Sequence, residues 1–150
     1  MSEALETVKR FGELMIQDLP EGEAGSSPEE RFQQIMDMLH PEIRIPVAES
    51  LPYGGEHVGH EGFMKMGEGF AETWDIIDGG AGGYADIGDG RVLAFYNPTF
   101  QSRATGRSVS FQMVEILTVR DGKIAELVPY YFDTVELVKT FTPARVAADA

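Results

Sequence analysis

Apolar residues recur along this chain at helical spacing in its first half and at strand spacing in its second. The first helical stripe predicts an amphipathic helix over about residues 3–19, ended by Pro20. A second helix is expected to begin at Ser27, because Ser27, Pro28 and Glu30 form a capping signature, and to stop at His40-Pro41. The stripes of these two helices comprise Leu5, Val8, Phe11, Met15 and Leu19, then Phe32, Ile35, Met36 and Leu39.

The pattern then changes to strands, with one more helix between them. Ile43, Ile45 and Val47 alternate as a short strand, and residues 49–59 are predicted to form a loop. A third helix carries the stripe Phe63, Met66, Phe70 and Trp74, and a glycine-rich turn follows at 79–83. Strands are predicted at about 84–88, 91–103, 109–120 and 123–132, with a last helix at about 134–141. Helices followed by a run of antiparallel strands indicate an α+β fold.

Asp121-Gly122 predicts a tight hairpin between the last two strands. On the first of these strands Val109, Phe111, Met113, Leu117 and Val119 alternate onto one face, and Glu115 lies in the middle of that face. A carboxylate among apolar side chains must be paired, protonated or functional. Two interpretations stay open. In the first, Glu115 forms an ion pair with Arg44, Arg103 or another cation, or a bulge turns it to solvent. In the second, burial keeps Glu115 protonated as a hydrogen-bond donor.

The opposite face of this hairpin is also apolar. It is expected to carry Val114, Ile116, Leu127 and Tyr131. Such a face is too apolar for free solvent, so a homodimer packed through the outer sheet face is predicted. A curved sheet wrapped around the helices would leave a cone-shaped apolar pocket on the inner side.

Charge and composition narrow the partners. The 150 residues carry a formal net charge of −13, which disfavours nucleic acid and anionic membranes. The chain has no cysteine, which excludes disulfides, thiol catalysis and zinc–thiolate sites. Without a recognisable signal peptide or membrane span, a cytoplasmic protein is expected. We expect one domain over residues 1–142 and a flexible tail at 143–150.

Two segments resemble a known family. LPYGGEHVGHEGF (51–63) and VEILTVRDGKIAELVPYYFD (114–133) are similar to the SnoaL-like branch of the nuclear transport factor 2-like superfamily, which includes ketosteroid isomerases, limonene epoxide hydrolases, scytalone dehydratases and polyketide cyclases. The resemblance implies a cystatin-like α+β cone with an apolar pocket. It leaves the reaction open, because this fold serves enzymes and binding domains alike.

The resemblance also suggests roles for particular residues. Glu49 precedes Gly59 by ten residues, where ketosteroid isomerases carry their general base. Glu115 lies within about one residue of the position at which those enzymes carry a protonated aspartic acid. That acid donates a hydrogen bond to the developing enolate. Phe11 stands where those enzymes have a tyrosine, a departure that argues against steroid isomerisation. The Asp-Arg-Asp set of limonene epoxide hydrolases has no convincing counterpart.

Other candidates come from residue type and position. His57 could act as a base or orienting group, whereas His57 and His60 alone do not make a metal site. Tyr53 and Tyr130 could each offer a hydroxyl to a carbonyl oxygen, and Asp133 is expected to cap the last helix. Side chains that could line a pocket are Tyr53, Phe63, Trp74, Tyr96 and Met113.

These observations predict a small cofactor-free and metal-free enzyme acting on an apolar molecule with a carbonyl or hydroxyl group. Glu49 or His57 would abstract a proton, while Tyr130, Tyr53 or protonated Glu115 would stabilise the oxyanion. Isomerisation, cyclisation and dehydration all fit this scheme. The alternative is a non-catalytic domain of the same fold that binds a small ligand or dimerises.

Overall fold

The structure is a computed structural model that describes residues 2–16, 27–80 and 82–143. These residues form four helices and nine strands. The helices are α1 (Glu3–Ile16), α2 (Pro28–Asp37), α3 (Gly59–Thr73) and α4 (Thr134–Phe141). The strands are β1 (Leu39–Val47), β2 (Gly55–Val58), β3 (Trp74–Asp78), β4 (Gly83–Gly88), β5 (Arg91–Tyr96), β6 (Thr99–Ser102), β7 (Ser108–Ser110), β8 (Met113–Arg120) and β9 (Lys123–Tyr131).

Local capping signals fix the helices where the sequence predicted them. The Ser27 side chain accepts from the Glu30 amide while Glu30 accepts from the Ser27 amide, which is the capping box at the start of α2. Asp133 caps α4 through the amides of Val135 and Glu136, as predicted. The predicted last residues of the first helix, 17–19, and the tail from 144 lie outside the described residues.

Two helix ends and one loop were predicted wrongly. Helix α2 ends at Asp37, and Leu39 opens β1 instead of closing the helix. Likewise Trp74 begins β3 rather than completing the stripe of α3. Residues 55–58 of the predicted loop form β2 because they pair with residues 44–47 of β1. Pairing with a distant strand decided each of these, and local periodicity does not reveal it.

The strands form two sheets. Six strands lie in the order β2-β1-β9-β8-β5-β4, with β1 and β9 parallel and the other neighbours antiparallel. The smaller sheet has the order β3-β6-β7. The chain crosses between the sheets at 97–98 and again at 111–112, where the Phe111 amide donates to the Pro98 carbonyl at 3.1 Å.

These crossings correct the predicted strands 91–103 and 109–120, each of which is two shorter strands in different sheets. Pro98, which has no amide hydrogen to continue the ladder, lies fully buried at the bend. Strands that change sheets at such bends give the whole sheet its curvature. The predicted α+β cone is therefore confirmed.

A bulge in the last hairpin determines which residues face inwards. Asp121 and Gly122 both have positive φ, as expected for the predicted two-residue turn. Beyond it Val119 pairs with Ile124 but Thr118 pairs with Glu126, so Ala125 is an extra residue in β9. One extra residue reverses the alternation of the strand.

The bulge overturns part of the predicted outer face. Leu127 is buried and Tyr131 packs against the core, whereas Tyr130 is 54% exposed. The outer face does hold Val114 and Ile116, as predicted, because Val114 pairs with exposed Phe95 and Tyr130. Leu127 and Tyr131 belong to the inner face.

Helix α1 packs across the inner face of β4, β5, β8 and β9, and α3 packs on β1 and β2. Val8 and Phe11 of α1 and Phe63 of α3 are buried in the resulting core. No helix among the described residues is both long and apolar enough to cross a bilayer.

Candidate functional site

Glu115 lies at the centre of the inner sheet face. It pairs with Ala94 of β5 and Pro129 of β9, and its neighbours on the same face of β8, Met113 and Leu117, are buried. The bulge lies in the partner strand and therefore leaves Glu115 pointing inwards. Glu115 is deep in the protein yet keeps partial accessibility.

Within the part of the chain that the structure describes, no basic side chain forms an ion pair with Glu115. Among the described residues, Arg44 pairs with Glu56 and Glu126, and Arg103 pairs with Asp75. The predicted ion pairs of Glu115 with Arg44 or Arg103 are therefore not formed. Burial instead raises the pKa of the Glu115 carboxyl to about 7, while interaction with the Tyr96 hydroxyl opposes that rise. Such a group exchanges protons near neutral pH.

Two tyrosines lie on one side of Glu115, one on β5 beside β8 and one on β4 beyond it. Tyr96 of β5 interacts with the carboxylate and in turn with the hydroxyl of Tyr84 on β4, whose ring packs edge-on against Tyr96 at 6.4 Å between centroids. Burial, and then the charge of Glu115, raise the pKa of Tyr96, so Tyr96 remains a proton donor. Tyr84 approaches α1 so closely that a side chain at Gly12 would overlap its hydroxyl.

A second hydroxyl pair lies on the other side. Tyr131 is diagonal to Glu115 across β8 and β9, because Met113 pairs with Tyr131. Its hydroxyl lies 3.2 Å from that of Tyr53, and the Trp74 indole nitrogen donates to the Tyr53 oxygen at 3.1 Å. Burial raises the pKa of both tyrosines.

The other predicted acid–base residues are not brought to Glu115. Glu49 is exposed in the turn after β1. His57 places Nε2 2.8 Å from the Tyr53 backbone carbonyl oxygen. The neighbouring His60, which was not predicted to be an acid–base residue, places Nε2 3.0 Å from that of Leu39. Tyr130 lies on the sheet face opposite to Glu115. Tyr130 was predicted as one possible oxyanion donor, but the bulge turns it to the outer face and brings Tyr131 to the inner face instead.

The predicted pocket-lining residues gather on the inner side. Phe63, Trp74, Met113 and Tyr53 are buried, and Tyr96 is half-buried beside Glu115. Sequence reasoning did not pick Tyr84, and it placed Tyr131 on the wrong face. The consecutive apolar residues Ile124-Ala125 after the turn were the available sign of a bulge. No local sequence signal identifies Tyr84 as part of the site, because the pairing of β4 with β5 brings it there.

Within the described residues, no group of three or more His, Asp or Glu side chains is arranged to hold a metal ion. The chemistry that this arrangement can perform is proton transfer at one carboxyl group surrounded by phenolic hydroxyls.

The sequence and the fold identify the class of protein. The pattern described as SnoaL-like domain matches residues 28–127, well over half of the chain. The chain therefore belongs to the SnoaL-like domain family. The match includes Glu115, Tyr96 and Tyr84 but ends before Tyr131, and no curated protein matches the sequence.

Solved structures share the fold. An NTF2-like protein from Burkholderia xenovorans LB400 has a TM-score of 0.75 at 20% identity, covering 93% of this chain and 96% of its own. TerC, co-crystallised with polyporic acid, has a TM-score of 0.70 at 18% identity, covering 93% and 98%. A protein from Xanthomonas campestris pv. campestris, provisionally assigned as a polyketide cyclase, has a TM-score of 0.68 at 14% identity, covering 93% and 97%.

Proposed function

We propose that this protein is a small enzyme that moves a proton on an apolar carbonyl- or hydroxyl-bearing molecule, using Glu115 as both base and acid. The observation that carries the proposal is the inward-facing Glu115 carboxyl, which has no cationic partner among the described residues and has its pKa raised to about 7. Its depth together with its partial accessibility supports a recess beside it that a ligand could enter.

A single carboxyl group suffices for a reaction without net proton change. The Glu115 carboxylate would take a proton from carbon next to a carbonyl, and the electron pair of the broken C–H bond would move onto the carbonyl oxygen as an enolate. Protonated Glu115 would then return the proton to a different carbon in an isomerisation. In a cyclisation it would return the proton to the alkoxide formed when the enolate carbon attacks a second carbonyl.

The surroundings favour this chemistry. Tyr96 and Tyr131 flank the carboxyl group with hydroxyls kept protonated by burial. A good donor to a developing oxyanion is worth roughly 3 kcal/mol in transition-state energy. The polyporic acid of TerC and the provisional polyketide cyclase assignment of the Xanthomonas protein are consistent with a carbonyl- or hydroxyl-bearing ligand.

Hydrogen–deuterium exchange tests the proposal without knowledge of the substrate. β-Tetralone, an apolar ketone with acidic protons next to its carbonyl, would be incubated with the protein in deuterium oxide and followed by nuclear magnetic resonance. We expect the protein to accelerate exchange with a rate that rises through a midpoint near the Glu115 pKa of about 7. Glu115→Gln should abolish the acceleration.

Matched variants separate the candidate bases. Glu49→Gln and His57→Gln should keep the exchange if Glu115 is the base, because Glu49 is exposed and His57 bonds a backbone carbonyl. Loss of exchange in Glu49→Gln with full activity in Glu115→Gln would transfer the role to Glu49 and reject the proposed site.

A binding domain without catalysis is the second candidate function. It is favoured by the surroundings of the predicted bases, since Glu49 is exposed and the His57 ring lies against the Tyr53 backbone carbonyl. Saturable binding of β-tetralone with no exchange above the background rate would select this function.

We also propose that the outer face of the six-stranded sheet packs against a second copy of the chain. Phe95 and Tyr130 are 45% and 54% exposed there, and they lie on either side of Val114. An apolar sheet face of this kind is self-complementary when two copies meet about a twofold axis.

A further inference from the structure

We propose that Trp74 and Tyr53 orient the Tyr131 hydroxyl so that its proton meets an acceptor oxygen of the bound ligand. Tyr131 is thus assigned as the ligand-contacting donor, and Trp74 and Tyr53 as positioning residues. This inference rests on the proposed function, because it names the group that would meet the oxygen of the same ligand.

The direction of the hydrogen bonds among Trp74, Tyr53 and Tyr131 follows from Trp74, which lies at the buried end of the three. An indole N–H can only donate, so the Tyr53 oxygen is the acceptor in its 3.1 Å contact with Trp74. Trp74 is 2% exposed and Tyr53 is 4% exposed. Neither can exchange this bond for one to bulk water.

The Tyr53 hydroxyl can then donate its proton, within the described part of the chain, only to the Tyr131 oxygen. Among the described residues, the Tyr53 hydroxyl contacts only Trp74 and the Tyr131 hydroxyl, the latter at 3.2 Å. If Tyr131 donated to Tyr53, the buried Tyr53 proton would have no acceptor, which is costly. If Tyr53 donates to Tyr131, every group in the buried part is satisfied, and the Tyr131 proton is free for another acceptor.

Tyr131 can direct that proton towards the ligand. It keeps partial accessibility and lies on the inner face diagonal to Glu115. Its ring packs against Phe111 at 5.9 Å and, on the buried side, the Tyr53 ring packs against Phe70 at 5.4 Å between centroids. These aromatic contacts hold both rings in place in apolar surroundings, where a hydrogen bond is stronger than in water.

The two sides of Glu115 therefore differ in function. The Tyr96 hydroxyl interacts with the Glu115 carboxyl and lowers its pKa, whereas the Tyr131 hydroxyl, among the described residues, is within hydrogen-bond distance of the Tyr53 hydroxyl alone. Of the residues that the structure describes, the titratable groups that interact with Glu115 are Tyr96 and Tyr131, and these in turn interact with Tyr84 and Tyr53. A ligand oxygen bound between Tyr131 and Glu115 would receive one hydrogen bond from each when Glu115 is protonated.

The chain contains one tryptophan, so its indole N–H gives a single resonance that reports the first bond. We expect Tyr53→Phe to shift this resonance and to speed its exchange with solvent, while Tyr84→Phe leaves it unchanged. An indole resonance unaffected by Tyr53→Phe would show that the bond is not formed and would overturn the proposal.

Binding of para-nitrophenol tests the donor itself, because this aromatic probe carries one hydroxyl whose absorbance reports its ionisation. If the phenol transfers its proton to the Glu115 carboxylate, the phenolate oxygen becomes the acceptor for Tyr131. Tyr131→Phe should weaken binding by roughly ten- to a hundredfold, and Tyr53→Phe and Trp74→Phe by a smaller factor. Tyr130→Phe, on the outer face, is the matched control and should bind like the wild type.

The outcomes separate this inference from the proposed function. Equal affinity of Tyr131→Phe and the wild type overturns the assignment of Tyr131, and so does failure of the wild type to bind the probe. Neither result affects the isotope-exchange test of Glu115, which judges the proposed function alone. A greater loss in Tyr130→Phe than in Tyr131→Phe would show that the ligand lies on the other face.

Discussion

The raised pKa of Glu115 makes the free energy of unfolding depend on pH. The folded-state pKa of about 7 lies above the ordinary value of 4.5, so the folded state binds this proton more tightly than the unfolded state. The stabilisation is fully present below the ordinary value and is lost as pH rises through about 7.

Comparison of the wild type with Glu115→Gln isolates this effect from the other acidic groups. Between about pH 5 and about pH 8 the wild type should lose up to about 3 kcal/mol more unfolding free energy than Glu115→Gln, which cannot ionise at this position. Urea denaturation at both pH values measures the difference. Parallel losses in the two proteins would mean that Glu115 titrates like an exposed carboxyl group.

Tyr96 should control the Glu115 pKa. Its hydroxyl stabilises the carboxylate and so lowers the pKa of Glu115. Tyr96→Phe should therefore move the titration midpoint above about 7, measured by nuclear magnetic resonance of the Glu115 carboxyl carbon. Tyr130→Phe should leave it unchanged, because Tyr130 faces outwards. A lower midpoint in Tyr96→Phe would contradict the donor role.

At the scale of single residues, the sequence correctly predicted which side chains face inwards wherever the alternation of a strand is not interrupted by a bulge. Met113, Glu115 and Leu117 face inwards as their spacing predicts. Tyr131 was assigned to the wrong face, and Tyr130 with it, because their sides depend on the extra residue Ala125 in the bulge. Tyr96 and Tyr84 are brought near Glu115 by the pairing of β4, β5 and β8. The spacing of residues along the chain does not predict this pairing.

At the scale of elements, α1 and β4 meet at Gly12, where a side chain would overlap the Tyr84 hydroxyl. Gly12→Ala would gain about 1 kcal/mol of helix propensity but would displace Tyr84. We therefore expect little change in stability and a Glu115 pKa shifted upwards, because Tyr96 loses the partner that orients it. Denaturation and the carboxyl titration of one sample measure both effects.

Tyr84→Phe is the matched control for Gly12→Ala, since it removes the same hydroxyl without altering the helix. The two variants should shift the Glu115 titration in the same direction. An unchanged titration in Gly12→Ala would show that Tyr84 does not transmit its position to the site.

Elements with local signals were predicted well. The capping box of α2, the Asp133 cap of α4 and the Asp121-Gly122 turn each depend on neighbouring residues. Strands β2 and β3 and the crossings at 97–98 and 111–112 depend on distant partners. Propensity and periodicity cannot supply these, because a strand is defined by what it pairs with.

At the scale of the molecule, charge opposes the proposed dimer, whereas the apolar outer sheet face favours it. A net charge of −13 on each copy repels a second copy, and salt screens that repulsion. Light scattering should therefore show a dimer that is strengthened by salt. Phe95→Glu should give the mass of a single chain, because it places a charge in the middle of the proposed interface.

Ile76→Glu is the matched control for Phe95→Glu. Ile76 is 51% exposed but lies on β3 of the smaller sheet, away from the proposed interface. It should leave the mass of the assembly unchanged. If Ile76→Glu dissociates the dimer and Phe95→Glu does not, the copies meet through the smaller sheet.

The extra residue in β9 has a consequence for how such sequences change over time. Because Ala125 alone sets the parity of the strand beyond it, losing one codon there would turn Tyr130 inwards and Tyr131 outwards without substituting either tyrosine. A sequence alignment with a gap misplaced by one position would make the same exchange on paper. Among relatives, length at this hairpin therefore carries as much information about the site as residue identity does.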